Sequence, residues 1–71
     1  MKLFYLPEPD NVEYIIWEQA DEHCWQVSIN WTKGVIIVVD DYGRIKMKRE
    51  GLTCQELKFI KENFLNIVKA K

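Results

Sequence analysis

The segment Val35-Ile36-Ile37-Val38-Val39 is apolar at every position, and it constrains the fold more than any other feature. It is short, rich in β-branched residues, and bounded by Gly34 and the Asp40-Asp41 pair. It reads as a central strand buried on both faces. Such a strand needs neighbours in a sheet and a cover over each face. With 71 residues, the chain is bounded at one domain with a thin core.

The flanking segments supply the neighbours. Cys24 to Trp31 alternates, with Trp25, Val27, Ile29 and Trp31 on one face and Cys24, Gln26, Ser28 and Asn30 on the other. Thr32-Lys33-Gly34 reads as a short hairpin loop, with Gly34 suited to a left-handed position. Residues 12–19 form a further strand, in which Val12, Tyr14 and Ile16 share one face and Ile15 and Trp17 the other. Asp40-Asp41-Tyr42-Gly43 is a turn cluster. Residues 44–49 alternate again, with Ile45 and Met47 inward and Arg44, Lys46 and Lys48 outward. A first short strand is expected over about residues 2–6, ended by Pro7 and Pro9, which cannot donate to a ladder.

The remainder reads as one helix over about residues 54–70. Thr53 at the N-cap and Glu56 three residues on make a capping box, with Leu52 and Leu57 at the staple positions. Cys54, Leu57, Ile60, Phe64, Ile67 and Val68 fall on one stripe at helical spacing. The expected fold class is therefore α+β: an antiparallel meander of four or five strands (about 2–6, 12–19, 24–31, 35–40 and 44–49) with a C-terminal amphipathic helix on one sheet face.

One helix covers one face, and the face carrying Trp25, Val27, Ile29 and Trp31 is the expected one. The second face should then carry Ile15, Trp17, Val35, Ile37 and Val39, or their neighbours in the other register. An uncovered face of that kind would be an unusually large apolar patch. Three covers satisfy it: the N-terminal strand curling over, a second copy packed face to face as a homodimer, or a different protein. Ile15 and Trp17 are the candidate partner-binding residues on that face. Phe59 joins them, because it projects among Gln55, Glu62, Asn63 and Asn66 on the polar side of the helix.

Charge divides the chain. Residues 1–42 hold 2 basic and 8 acidic residues, and residues 43–71 hold 8 basic and 3 acidic. The longest aliphatic run, Val35 to Val39, is too short to span a membrane. The opening Met1 to Leu6 ends at Pro7 without a small-residue cleavage site, so no signal peptide is expected. Two Cys without an export signal point to reduced thiols and a cytoplasmic location.

Catalytic groups are sparse. Asp21, Glu22, His23 and Cys24 match no metal-ligand spacing and read as a solvated turn. Cys54 opens the helix, where a thiol can be activated, but its place on the stripe reads as packing. Ser28 is the only Ser, and Gly34, Gly43 and Gly51 stand too far apart for a phosphate loop. The expectation is a non-enzyme without metal or cofactor. Arg44, Lys46, Lys48 and Arg49 form a basic ridge, which suits phosphate contact or protection of a sheet edge.

Residues 27–69 run strand, Lys33-Gly34, strand, basic strand, Gly51-Leu52-Thr53 and amphipathic helix. That order is similar to the single-stranded-DNA-binding transcriptional coactivators, in which a basic strand leads into a dimer-forming helix. The resemblance implies a homodimer gripping single-stranded nucleic acid, with Lys46, Lys48, Arg49 and Lys33 at phosphates. The segment after Gly51 is shorter here, and the N-terminal half is acidic.

Two functional expectations result. One is a small cytoplasmic, non-catalytic protein-interaction module, acting by docking or by acidic mimicry of a nucleic acid. Its size and charge suit accessory proteins of phages and mobile elements, including inhibitors of host defence. The other is a single-stranded nucleic-acid-binding domain using the Arg44, Lys46, Lys48 and Arg49 ridge.

Overall fold

The computed structural model describes residues 3–5, 10–18, 23–63 and 66–69. The elements are β1 (Val12–Glu18), β2 (Cys24–Asn30), β3 (Val35–Val39), β4 (Ile45–Arg49), α1 (Cys54–Glu62) and β5 (Asn66–Lys69). They form one sheet in the order β4-β3-β2-β1-β5, every pairing antiparallel. The first four strands are the expected meander followed by a helix, and the class is α+β.

Register divides the side chains between two faces. Ile15 pairs with Val27, Val27 with Val38, and Val38 with Met47. In the neighbouring row, Ile29 pairs with Ile36, and Ile36 with Arg49. Ile15, Val27, Ile29, Ile36 and Val38 form the buried core together with Leu57 of α1. Trp25, Trp31, Leu52 and Ile60 pack against it half-buried. Burying an aliphatic side chain of this size stabilises by roughly 1.5–3 kcal/mol relative to exposure, so this cluster dominates the fold's stability.

Ile15 therefore faces the core. It is 0% exposed and cannot serve as the partner-binding residue expected above. Period-2 alternation sets which residues share a face, but not which face is covered, and a one-residue change of register exchanges the two. The second face instead carries Val12, Tyr14 and Ile16, in line with the polar row Asn30, Ser28 and Gln26 and then with Val35, Ile37 and Val39.

The N-terminal segment lies over part of that second face. Phe4 N–H donates to Gln26 Oε1 at 2.8 Å, and Gln26 Nε2 donates back to the Phe4 carbonyl. The Tyr5 and Tyr14 rings meet edge to face at 5.0 Å. Leu3–Tyr5 is not a strand, which corrects the expectation over residues 2–6; Lys2 and Leu6 lie outside the described residues. The Gln26 side chain, 22 positions along the chain, satisfies the Phe4 backbone that a ladder would otherwise pair.

The C-terminal expectation is corrected too. α1 ends at Glu62, and Asn66–Lys69 is a strand on the outer side of β1, with Ile15 opposite Ile67 and Tyr14 opposite Val68. Asn63 closes the helix: its N–H donates to the Ile60 and Lys61 carbonyls, and its Nδ2 donates to the Phe59 carbonyl at 2.6 Å. Beyond it, β-branched Ile67 and Val68 favour extended backbone. Pairing with β1 satisfies that backbone, which outweighs the helical spacing of the same residues.

Candidate interaction surface

β4 is an edge of the sheet, and all five of its residues are exposed. It is nonetheless held at both ends. At its start, Asp40 is buried and its carboxylate organises the turn. Oδ1 accepts from the Tyr42 N–H at 3.0 Å and the Arg44 N–H at 2.9 Å, and Oδ2 accepts from Arg44 Nε at 2.9 Å. Burial pushes the Asp40 carboxyl up, but the Arg44 and Tyr42 hydrogen bonds and the Arg44 charge outweigh it. The group is held below its ordinary value of 3.8. Gly43 completes the turn at φ +83°, its Cα close under the Phe4 ring, which a Cβ would meet at 2.9 Å.

At the far end of β4 the chain turns into α1. Leu52 N–H donates to the Gly34 carbonyl at 2.9 Å, which ties the helix entry to the β2–β3 hairpin. Gly34 sits at φ +69°, and a Cβ there would stand 2.5 Å from the Leu52 carbonyl oxygen. Only glycine meets both the left-handed backbone and the close approach. The capping box is present: Glu56 N–H donates to Thr53 Oγ1 at 3.2 Å, and Thr53 N–H donates to Glu56 Oε1 at 3.1 Å. Donation by the Thr53 N–H leads the causes that hold the Glu56 carboxyl below its ordinary value, and the Arg49 charge adds to it.

Between β4 and α1 lies an open groove of about 380 Å³, lined by Arg49, Leu52, Gln55, Glu56, Phe59 and Ile60. Phe59 is 69% exposed. Trp17, the third expected partner-binding residue, is 39% exposed and meets its ladder partner Trp25 edge to face at 5.8 Å, so it shares the face of Ile15 and Trp25 and is not on the second face as expected. Met47 is 41% and Ile45 63% exposed. The expectation that Ile45 and Met47 share an inward face is thus corrected: the irregularity at Lys46 sets Met47 beside core Val38 and Ile45 beside Val39 on the second face, and both are exposed at the sheet edge.

The basic ridge is on this edge. Lys46 falls at the irregularity in the β3–β4 register, between Met47 opposite Val38 and Ile45 opposite Val39, and its Nζ lies 5.9 Å over the Trp25 ring. Arg44 lies 5.3 Å over the Tyr42 ring. Lys48 makes a solvated contact with Glu50 at 3.6 Å, a type of pair worth little in water.

The acidic side chains of the N-terminal half are differently placed. Asp10 pairs with Lys33 at 3.5 Å, Glu13 with Lys61 at 3.1 Å, and Asp40 with Arg44 at 2.9 Å. Asp41 Oδ2 meets His23 Nδ1 at 2.7 Å. Asp21 and Glu22 lie outside the described residues. Cys24 is half-buried, and Cys54 is exposed at the start of α1 rather than packed. Among the described residues, no three His, Cys, Asp or Glu side chains are grouped to hold a metal ion, and no helix is long and apolar enough to cross a membrane.

A second, smaller cavity of about 140 Å³ lies on the second face, with Ser28, Asn30, Ile37 and Lys48 in its wall. Sequence reasoning singled out Phe59 and Arg49 but not the groove they share, which depends on α1 standing beside the end of β4. Comparison with protein-family models, with curated proteins and with solved structures finds no match. The likeness to the coactivators is one of element order up to α1 alone, and the order departs from it after Glu62, where Asn66–Lys69 is a strand.

Proposed function

We propose that this chain is a non-catalytic protein-interaction module that docks a partner along β4 and the neighbouring groove. The observation that carries this reading is the open edge. Five consecutive ordered residues are all exposed, and Phe59 stands exposed beside them over an apolar-lined groove. Exposed apolar and aromatic side chains rimmed by charge mark docking surfaces. Docking is favoured over acidic mimicry, because Asp10, Glu13 and Asp40 are engaged by Lys33, Lys61 and Arg44 within the fold.

A nucleic-acid reading has its own support, in the cations set over aromatic rings at Lys46–Trp25 and Arg44–Tyr42. Single-stranded nucleic acid is bound by such combinations of charge and stacking. One experiment separates the two. A photo-crosslinking amino acid is placed at Phe59, and at exposed Glu62 as a control, and irradiated in the native host. A protein adduct specific to Phe59 and resistant to nuclease supports docking. An adduct removed by nuclease supports the second reading. Equal labelling from both positions, or none, contradicts both.

A further inference from the structure

We infer that the partner is an extended acidic segment of another protein that adds to the outer edge of β4 as a further antiparallel or parallel strand. This rests on the docking reading and goes on to name the partner's chemistry and its mode of binding. An edge strand turns the N–H and C=O groups of alternate residues away from its single neighbour. Among the described residues β4 is paired with β3 alone, so its outer row of backbone groups is open to a further strand.

Side chains set the kind of strand. Met47 and Arg49 stand opposite Val38 and Ile36, on the face where Leu57 is buried. A strand laid beside β4 would place every second side chain on that same face. There the groove of Arg49, Leu52, Phe59 and Ile60 receives apolar groups. Lys48, opposite Ile37 on the other face, is exposed and complements the carboxylates placed there, while exposed Lys46 and Arg49 add positive charge along the edge. Opposite charges across a ladder stabilise it, and like charges directly opposite destabilise it. That rule disfavours a second copy of this chain pairing β4 to β4 about Met47, because Lys46 would then face Lys48. The partner pattern is apolar alternating with Asp or Glu, in extended conformation. Binding through backbone bonds with alternate side chains giving specificity is a recurring mode of peptide recognition.

The test uses the full chain, isotope-labelled, and a peptide of about eight residues alternating Glu with Val, the length of an ordinary strand. Two control peptides accompany it: one with Lys for every Glu, and one N-methylated at alternate residues to remove backbone donors. The expected result is saturable binding of the acidic peptide at low salt, with new amide protection in β4. N-methylation should weaken binding at least about tenfold, as expected when several backbone hydrogen bonds are lost. K46E/K48E should lose it while the chain stays folded, since both positions are exposed. No saturable binding, equal binding of the N-methylated peptide, or perturbation confined to other elements overturns the proposal. If the Phe59 crosslink then still captures a protein, docking stands and strand addition falls. If that adduct is missing as well, both fall.

Discussion

β3 and β4 are neighbours in one sheet, each five residues long, and they are opposites in burial. In β3, Ile36, Val38 and Val39 are buried and the other two half-buried; in β4 every residue is exposed. Their ladder partners make the contrast sharp: buried Ile36 stands opposite Arg49, and buried Val38 opposite Met47. The hydrophobic core therefore ends at β3, and β4 is kept in place by its two ends, the Asp40 turn and the Leu52–Gly34 bond, more than by its own side chains. A strand whose side chains add little to burial retains them for other work, and solubility and recognition are the two uses open to a charged edge.

The largest test of this contrast is a pair of truncations across one rung. Ile36→Ala should destabilise the fold by about 2–5 kcal/mol through lost burial and a cavity. Arg49→Ala, its ladder partner, should stay within about 0.5 kcal/mol of the parent, as surface substitutions do. Denaturant melts of both variants measure the difference, and comparable losses would show that β4 carries core energy after all.

Next in size is the hairpin anchor. Gly34→Ala forces a Cβ to within 2.5 Å of the Leu52 carbonyl oxygen at a positive φ. It should cost about 1–3 kcal/mol from backbone strain, with further loss from the clash. Because the bond holds the entry to α1, Leu57 burial should loosen first, which the amide exchange of residues 54–62 would report.

The Asp40 turn gives a pH signature. Its carboxyl is held below 3.8 in the fold, so its ionised form favours the folded state. That contribution is present above the unfolded value and is lost as pH falls from about 4 through the depressed folded value. Asp40→Asn should lower stability at neutral pH and reduce the acid loss as pH falls below about 4. Melting temperatures across that range for parent and variant check the sign.

The smallest stability effect belongs to the residues assigned to docking. Phe59→Ala and Lys48→Glu should each change folding stability by no more than about 0.5 kcal/mol. Both should nonetheless weaken partner capture. A large stability loss at Phe59 would make it part of the core rather than of the surface.

Much of this contrast is readable from sequence. β-Branched density and the flanking turns locate β3, and the Thr53–Glu56 box marks where α1 begins. Strand alternation groups Val27 with Ile29 and Ile15 with Trp17. What alternation does not carry is register: Ile15 opposite Val27 belongs to the core, and only the pairing shows it. The helix end was not legible because Ile67 and Val68 satisfy the helical stripe, while the gain from pairing with β1 is a tertiary effect. The N-terminal cover was hidden for a similar reason. It depends on the Gln26 amide meeting the Phe4 backbone across 22 positions of chain. For the candidate site, Phe59, Trp17 and the ridge stand out as residues, whereas the groove arises only where Arg49 meets Leu52, Phe59 and Ile60.

Residue-resolved amide hydrogen exchange on the isolated chain, at two concentrations, tests the open edge most directly. The account predicts strong protection throughout β3 and an alternating pattern in β4. There, amides bonded to β3 should be protected and those turned outward should exchange as in open chain, without concentration dependence. Uniform protection of β4 that grows with concentration would show the edge already covered by a second copy, and would contradict the account.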